Sequence, residues 1–482
     1  MSFRVDSQNF IARSSDALDD APLQSALGKL RMGLSVRRRE AVAALPEFEA
    51  LRDEAAALRD YTLATLDQQL EAFEAQVRAR GGEVHWAPTA EAARQIILGL
   101  CQRYGAKKVL KGKSMVTEEL ELNEHLEAEG IRCVETDLGE YIVQLRRERP
   151  SHIVAPAIHL RKEDVAESFA EHHGDAGGRD RSTAEALMAE ARAELRAHFL
   201  SADVGITGAN FAIAETGSTV IVTNEGNGDL TQSLPKVHIA VTGIEKVVPT
   251  LEDASTLLRV LARSATGQEA SVYTTFSTGP RRPEDPDGPE AYHVVLVDNG
   301  RSAMLGTEFE AMLRCIRCGA CLNHCPVYGQ VGGHAYGSVY PGPMGAVLTP
   351  QLAGLDQSVH LPTASTFCGA CAAVCPVKIP LPTLLRQWRQ RAHEAELGGT
   401  KARWLLALWG FFAARPRLYH AGLGFGTRVL AALAGPRGSF RRLVGGRAWT
   451  AKRNFPAPEG GSFIASLSQE TFSPTAEDGS AR

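Results

Sequence analysis

The sequence lacks an apolar run long enough to cross a lipid bilayer. Its longest such stretch, WLLALWGFFAA at 404–414, has eleven residues, whereas a membrane-spanning helix needs about 20. The first ten residues, MSFRVDSQNF, contain no apolar core of the kind found in secretion signals. We therefore expect a cytoplasmic protein without a transmembrane segment.

An excess of charge of one sign is also missing. Lys and Arg number 52 against 56 Asp and Glu, so the formal net charge is −4. No overall basic field would attract nucleic acid. A hydrophobic content of 44% over 482 residues is ordinary for a soluble chain and allows two or three domains with their own cores.

Common nucleotide-binding and nucleophile motifs are absent as well. The sequence contains no Walker motif, no G-x-S-x-G elbow and no flavin fingerprint. GLGFG at 422–426 is a poor dinucleotide signal, because no strand precedes it and no acidic residue follows at the required distance. No sequence motif thus marks an organic cofactor, and we expect the step that oxidises a substrate to lie in a partner.

The cysteines of the sequence, in contrast, form an informative pattern. Seven of the nine cysteines fall in two runs, CIRCGACLNHCP from Cys315 and CGACAAVCP from Cys368. This is the bacterial ferredoxin spacing, in which three thiolates of a run bind one iron–sulfur cluster and the fourth binds the other cluster. Zinc usually takes its ligands as two pairs, and a reducing cytosol disfavours disulfides. The pattern predicts two [4Fe–4S] clusters and a role in electron transfer.

The two predicted clusters differ in their candidate ligands. Cluster 1 has four candidate thiolates, Cys315, Cys318, Cys321 and Cys375. Cluster 2 has three, Cys325, Cys368 and Cys371. Aligning the runs on Cys-Gly-Ala-Cys places Ser365 where a fourth cysteine would stand. The fourth iron could be held by Ser365, by water or by a partner, or it could be absent, leaving a [3Fe–4S] cluster.

The chain divides into four regions by residue pattern. We predict a helical N-terminal arm at 1–80, an α/β layered domain at 81–300, a two-cluster ferredoxin-type domain at 301–391, and a helical C-terminal region with a flexible tail at 392–482. Within the second region we expect helices at 91–104, 117–128 and 184–199. We expect strands at 107–111 and in the segments GEVHWA, IRCVETD, HIVAPAI, TVIVTNEG, KVHIAVTG, ASVYTTF and YHVVLVD.

The segment ITGANFAIAETGSTVIVTNEGN at 206–227 is the second informative feature. Its polar residues could line a ligand site at one end of a sheet, namely Asn210, Glu215, Thr216, Asn224 and Glu225. The alternative is that they only cap and turn the chain. Lys111 and Lys113 could likewise meet a phosphate or carboxylate at a helix start, but the sequence favours the simpler interpretation, a solvated basic turn.

Long stretches of the chain resemble the lactate utilisation protein B family, iron–sulfur proteins of a bacterial three-component L-lactate oxidation system. The resemblance rests on KGKSMVTEE, ERPSHIVAPAIH, GITGANFAIAETGSTVIVTNEGN, LPKVHIAVTGIEKVVPTLED, CIRCGACLNHCPVYGQVGGHAYGSVYPGPMGAV and CGACAAVCPVKIPLP, in that order. It implies that the middle region is a lactate-utilisation domain similar in fold to ribose-5-phosphate isomerase and CoA-transferase domains. It also implies two [4Fe–4S] clusters on the seven cysteines assigned above, and a non-cysteine residue at the position of Ser365.

The function implied by the resemblance is electron transport in the conversion of L-lactate to pyruvate. Electrons would pass from a partner through the two clusters to an unspecified acceptor. One alternative is an enzyme whose middle domain transforms a small acid or phosphate, with Glu215 as its key carboxylate. Another is a redox-responsive interaction protein whose labile cluster controls assembly.

Overall fold

A computed structural model of the chain describes residues 4–174, 178–397, 399–443, 446, 450, 453–460 and 463. The chain forms two compact units, 1–397 and 398–482. The larger unit contains the six-stranded and four-stranded sheets and all seven cysteines of the two runs.

Four helices form the N-terminal arm, as the sequence predicts. They are α1 (Phe10–Asp19), α2 (Ala21–Ala43), α3 (Phe48–Ala64) and α4 (Leu66–Ala79). The Asp20 side chain caps α2 by accepting a hydrogen bond from the amide of Leu23 at 3.0 Å. Phe48 and Phe73 are almost completely buried, so the apolar faces of these helices pack on the rest of the unit.

A six-stranded parallel sheet forms the centre of the larger unit. Its order is β1-β10-β7-β4-β2-β3, with the strands β1 (Glu83–Ala87), β2 (Lys108–Lys111), β3 (Arg132–Glu135), β4 (Val204–Gly208), β7 (Val237–Gly243) and β10 (Ala291–Val297). Every residue of β7 is buried, which is typical of a parallel strand covered on both faces. The layered α/β fold predicted from the sequence is confirmed.

Helices connect these strands and cover the sheet. They are α5 (Ala90–Arg103), α6 (Met115–Glu119), α7 (Leu122–Ala128), α8 (Leu138–Leu145), α9 (Lys162–His172), α10 (Ala184–Phe199), α11 (Asn227–Ser233) and α12 (Leu251–Ala265). The predicted helix at 117–128 is broken, because Glu121 adopts a left-handed backbone conformation with φ of 49°. The prediction of a strand at HIVAPAI is wrong: 152–158 forms bends and turns around Pro156.

A second sheet of four strands lies in the segment after β4. Its order is β8-β5-β6-β9, with β5 (Phe211–Ile213), β6 (Ser218–Thr223), β8 (Val247–Val248) and β9 (Tyr273–Ser277). β5 and β6 are antiparallel and pair Phe211 with Val220. Gly217 closes their turn with φ of +70°, where a Cβ would lie 2.6 Å from the amide nitrogen of Val77, so only glycine fits there.

The cysteine region consists of short helices and turns. The helices are α13 (Ala320–Asn323), α14 (Tyr328–Val331), α15 (Gly342–Ala353), α16 (Leu355–Ser358), α17 (Ala370–Ala373) and α18 (Leu381–Glu394). One continuous core joins this region to the N-terminal helices and the second sheet. Arg59 of α3 is fully buried there and donates to the carbonyls of Val247 at 2.9 Å and Leu313 at 3.2 Å.

The smaller unit contains the helices α19 (Thr400–Ala413) and α20 (Pro416–Ala434) and the antiparallel pair β11 (Ser439–Phe440) and β12 (Phe455–Pro456). In the described parts of the chain no helix is both long and apolar enough to cross a membrane. Most of the predicted flexible tail, from 464 onwards, lies outside the described residues.

Candidate iron–sulfur centres and an adjoining cavity

The two cysteine runs fold in the same way. Gly319 and Gly369 have φ of +75° and +82°, and each starts a one-turn helix that carries the next cysteine. Because this left-handed conformation strains any residue with a Cβ, the Cys-Gly-Ala-Cys sequence sets the turn in both runs. The runs are therefore a structural repeat, and each presents its cysteines around a tight corner.

Four cysteines meet at a small cavity within the larger unit. They are Cys315, Cys318 and Cys321 of the first run and Cys375 of the second. The remaining lining is almost entirely apolar and includes Ile153, Met344, Val377 and Leu381. Backbone amides point at the sulfurs: Arg317 donates to Cys315 at 3.4 Å and Ile379 donates to Cys375 at 3.4 Å.

As thiolates, these four cysteines would need a positively charged centre. Burial and the neighbouring thiols of the same group raise the pKa of Cys318 to about 12 and that of Cys375 to about 11. Four thiolates could share this apolar space only around a positively charged centre. The donor set, the dry walls and the amide–sulfur contacts fit an iron–sulfur cluster.

The other three cysteines form a second group. Burial raises the pKa of Cys325, and Cys368 contributes to the rise. Burial, with Cys325 and Cys368, raises the pKa of Cys371 to about 11. The amide of Tyr328 donates to the Cys325 sulfur at 3.5 Å. Cys368 is exposed, and the amide of Ala370 lowers its pKa, so this centre lies nearer the surface than the first.

Ser365 lies in the loop before Cys368. Its hydroxyl accepts a hydrogen bond from the amide of Phe367 at 3.1 Å, and its carbonyl accepts one from Arg389 at 3.3 Å. The loop is thus fixed by local hydrogen bonds. Ligation of iron by Ser365 stays a prediction.

Tyr336 places a buried hydroxyl at the second group. The side chain is fully buried, and within the described residues its hydroxyl has no hydrogen-bond partner of good geometry. The hydroxyl lies beside Cys325, whose pKa it lowers against the larger effect of burial. A tyrosine in this position could donate to a ligand thiolate once that thiolate is formed.

We expect Tyr336→Phe to lower the reduction potential of the second centre by roughly 20–60 mV. A donated hydrogen bond stabilises the more negative, reduced cluster, and its net worth of about 0.5–1.5 kcal/mol sets that range. The measurement is an EPR-monitored redox titration of the anaerobic protein. Tyr328→Phe is the matched control, because the equally buried Tyr328 hydroxyl donates to the Ser151 carbonyl at 2.8 Å; equal shifts in both variants would exclude a specific bond to sulfur.

A larger cavity of about 600 Å³ lies at the carboxyl edge of the parallel sheet. The segments that follow β2, β3, β4 and β7 line it, together with the turns at 153–158 and the first cysteine run. Asn210, Asn224 and Glu225, which the sequence predicts as ligand-site residues, line this cavity. Edges of this kind are where α/β proteins bind ligands.

Glu215 and Thr216, the other two predicted ligand-site residues, lie outside that cavity. Glu215 is exposed, and its carboxylate accepts a hydrogen bond from the Leu251 amide at 3.0 Å at the start of α12. The Thr216 hydroxyl donates to Ser218 at 2.8 Å within the β5–β6 turn. The structure therefore separates these two residues from the three that share the cavity.

Three cationic side chains line the cavity. Lys113 donates to Asp137 at 3.1 Å and to the Val154 carbonyl at 2.9 Å. Lys246 donates to the carbonyl of Cys315, and burial lowers its pKa to about 8. Sequence reasoning missed Lys246 and Arg317, although the position of Arg317 between two cysteines was a usable signal.

Lys111 is buried beneath this edge rather than solvated. Its ammonium lies 2.6 Å from Glu118 and 2.7 Å from Glu135. Burial raises the pKa of Glu135 to about 7 despite Lys111, and burial followed by Glu118 raises that of Glu140. Because three carboxyl groups lie near one ammonium, burial and mutual repulsion favour the protonated forms of Glu135 and Glu140.

We expect Glu135→Gln to change how stability depends on pH. Wild-type Glu135 has a folded-state pKa of about 7, above its usual 4.5, so its stabilising contribution is complete below pH 4.5 and is lost as the pH rises through 7. Between pH 5 and pH 8, the free energy of unfolding of the variant should rise relative to that of wild type by on the order of 1–3 kcal/mol. Unfolding midpoints at both pH values measure this, and Glu83→Gln, at an exposed position on β1, is the control. Parallel curves for wild type and Glu135→Gln would contradict the assignment.

A fully buried ion network joins the sheet to the cysteine region. Arg301 binds Glu119 through two hydrogen bonds, of 2.9 and 2.7 Å, and forms an ion pair with Glu245 at 2.9 Å. The Tyr340 hydroxyl donates to Glu119 at 2.7 Å. Burial alone would raise the pKa of Glu119, but Arg301 holds it below its usual value.

Two family models match the chain in this order. A LUD domain matches residues 70–297, and a 4Fe-4S dicluster domain matches residues 311–379. The first range contains the parallel sheet and most of the residues that line the large cavity, and the second contains both cysteine runs. Fold and site thus define an iron–sulfur protein built on a LUD domain.

Relatives match nearly the whole chain. Lactate utilization protein B of Bacillus licheniformis is 46% identical over 96% of this chain and 97% of its own length. The proteins of that name from Bacillus pumilus and Geobacillus thermodenitrificans are each 45% identical, over 95% and 96% of this chain and 96% and 97% of their own lengths. The chain belongs to the lactate utilization protein B family.

A DUF162 family protein from Deinococcus radiodurans is a match among solved structures. It is 16% identical, with a TM-score of 0.28, and the match covers 48% of this chain and 98% of that one.

Proposed function

We propose that the chain is the iron–sulfur electron-transfer subunit of a system that oxidises L-lactate to pyruvate. The observation that carries this proposal is the sorting of seven cysteines into a group of four and a group of three, with Cys375 and Cys325 each joining the other run's group. The family membership supplies the substrate. Other components of the lactate system are the expected partners.

Two [4Fe–4S] clusters would be bound at these groups. Cluster 1 takes Cys315, Cys318, Cys321 and Cys375, and cluster 2 takes Cys325, Cys368 and Cys371. Bound clusters supply one-electron carriers. The chain's own residues exclude water from cluster 1 with apolar side chains and direct backbone amides at the thiolates.

The rest of the reaction belongs to the partners. Conversion of lactate to pyruvate releases two electrons and two protons, and we place that step in a partner that passes electrons singly to this chain. Functionally we divide the chain into an arm at 1–80, the LUD domain at 81–300, the cluster domain at 301–391 and the C-terminal region at 392–482. No structural observation favours the alternative enzyme with a Glu215 nucleophile, since the carboxylate is exposed and bonded to the Leu251 amide.

The proposal is tested by redox titration of the anaerobically purified protein. We expect two iron–sulfur centres with separate midpoint potentials and seven to eight irons per chain, roughly. Stoichiometric zinc without iron, or a single centre, would contradict it.

We expect air to convert cluster 2 to a [3Fe–4S] form before cluster 1 is damaged. Cluster 2 has three candidate cysteine ligands, and one of them, Cys368, is exposed. Its fourth iron would therefore have an oxygen ligand, which holds iron less well than a thiolate does. EPR spectra recorded during air exposure measure this, and Ser365→Cys should slow the conversion. Ala364→Cys is the control at the neighbouring position; equal decay of both clusters in wild type would contradict the asymmetry.

A further inference from the structure

The cavity at the carboxyl edge of the parallel sheet is too large for lactate alone. Its volume of about 600 Å³ lies within the roughly 300–1,000 Å³ of cavities that hold cofactors and drug-sized ligands. Most of its lining is apolar, including Met115, Leu138, Ile221, Leu261 and Ile316. Such walls suit a ring system better than a three-carbon acid.

This cavity shares a wall with the first cysteine group. Ile316, Arg317 and Cys318 line both the large cavity and the small one in which the four cysteines meet. A molecule in the large cavity would therefore touch the segment that carries a ligand of cluster 1. Contact of this kind suits a molecule that exchanges electrons with the cluster.

Arg317 provides unused donors on the shared wall. Its side chain is 12% exposed and lies 3.6 Å from Glu245, with the guanidinium over the Tyr340 ring at 4.5 Å. Within the described residues its Nε and Nη1 atoms are buried without a hydrogen-bond partner. Buried donors without acceptors are costly, and a ligand oxygen would satisfy them if the guanidinium turned toward the cavity.

Lys113 adds a second cation to the same cavity. Its ammonium has three protons and, among the described residues, two hydrogen-bond acceptors, Asp137 and the Val154 carbonyl. Asp137 is partly occupied as the cap of α8, where it accepts from the amides of Gly139 and Glu140 at 3.1 and 3.2 Å. The cavity thus combines apolar walls, three cationic side chains, the carboxylates of Asp137 and Glu225, and contact with the segment that carries Cys318.

We propose that this cavity binds a redox-active ring compound with conjugated carbonyl oxygens, of the flavin or quinone class, which exchanges electrons with cluster 1. Full reduction of such a ring takes two electrons, which two successive oxidations of the reduced cluster supply, and two protons from solvent. Arg317 and Lys113 stabilise the negative charge that the ring oxygens gain. Binding of the ring does not depend on the function proposed above, whereas electron exchange with it does.

The binding test uses full-length protein purified anaerobically with its iron. FMN and menadione are titrated separately by isothermal calorimetry, and one of them should bind once per chain, which distinguishes flavin from quinone. Ala265→Phe narrows the cavity and Lys113→Gln removes a cation, so each should weaken binding at least tenfold. Ala92→Phe and Lys108→Gln, which lie outside the cavity lining, should bind as wild type does. Equal circular dichroism and equal iron content in all four variants show that they fold.

Failure to bind either compound, or unchanged binding in both Ala265→Phe and Lys113→Gln, would overturn the proposed site. For electron exchange, the protein is reduced with dithionite, freed of it by anaerobic gel filtration and mixed with the compound that binds. Loss of the compound's oxidised absorbance together with cluster reoxidation is expected. Binding without reduction would overturn electron exchange and leave the site, whereas absence of iron from the protein would overturn the function proposed above.

Discussion

Cys318→Ala should remove about half of the iron and stop electron transfer through the chain. Cys318 is one of four thiols around the first cavity, and a cluster that loses a buried thiolate ligand has no replacement there. Two clusters of four irons would fall to about one. The parallel sheet should stay folded, because its own cores are separate from the core around the cysteines.

Iron analysis, circular dichroism and lactate-dependent reduction of an artificial acceptor measure the three parts of this prediction. Cys101→Ala is the matched control, since Cys101 is a fully buried cysteine of α5 that lies with neither group. It should keep its iron and its electron transfer. Full lactate-dependent reduction by Cys318→Ala in the assembled system would contradict a role for cluster 1 in conduction.

Arg301→Met should destabilise the larger unit by about 3–5 kcal/mol, the usual cost of breaking a buried ion pair. Glu119 would remain buried without its cation, and Glu245 would keep only the more distant Lys246 and Arg317, at 3.7 and 3.6 Å. Tyr340 would lose the fixed position of its acceptor. Since this network joins the sheet to the cysteine region, we expect weaker iron retention as well as a lower unfolding midpoint.

Urea unfolding of the anaerobic protein measures the loss of stability. Arg282→Met is the control, because Arg282 is 70% exposed and pairs with Glu284 and Asp285 at the surface, and exposed pairs contribute little. Its effect should stay within about 0.5 kcal/mol. An unfolding midpoint for Arg301→Met equal to that of wild type would show that the network is not required.

The sequence predicts the parts of this fold that depend on local pattern. Alternating helix and strand patterns predict the layered α/β domain, and the segment KVHIAVTG predicts the strand β7. The cysteine spacing, with glycine between two of its members, predicts the repeated turns at Gly319 and Gly369. These features are local because each is fixed by residues within a few positions.

Long-range contacts lie beyond such reasoning. The composition of HIVAPAI predicts a strand, but the segment forms turns around Pro156 and contacts the cysteine region. The carbonyl of Ser151, next to this segment, accepts a hydrogen bond from Tyr328, which is 177 residues away in the sequence. The Asn and Thr residues near Glu215 in the sequence predict a ligand-site residue, but the structure places Glu215 near the turn at Gly217, outside the cavity. The sequence predicts a solvated Lys111, but three carboxyl groups from separate elements lie around its ammonium.

EPR spectroscopy after addition of L-lactate tests the electron-transfer role most directly. Purified chain is added under anaerobic conditions to an extract of its native host from which the gene has been deleted, so that the extract supplies the partners. We predict that L-lactate produces the signals of reduced clusters that belong to the added chain, and that Cys318→Ala loses those of cluster 1. The account would be contradicted if the mixture oxidised L-lactate to pyruvate while both clusters remained oxidised, even when no electron acceptor is supplied.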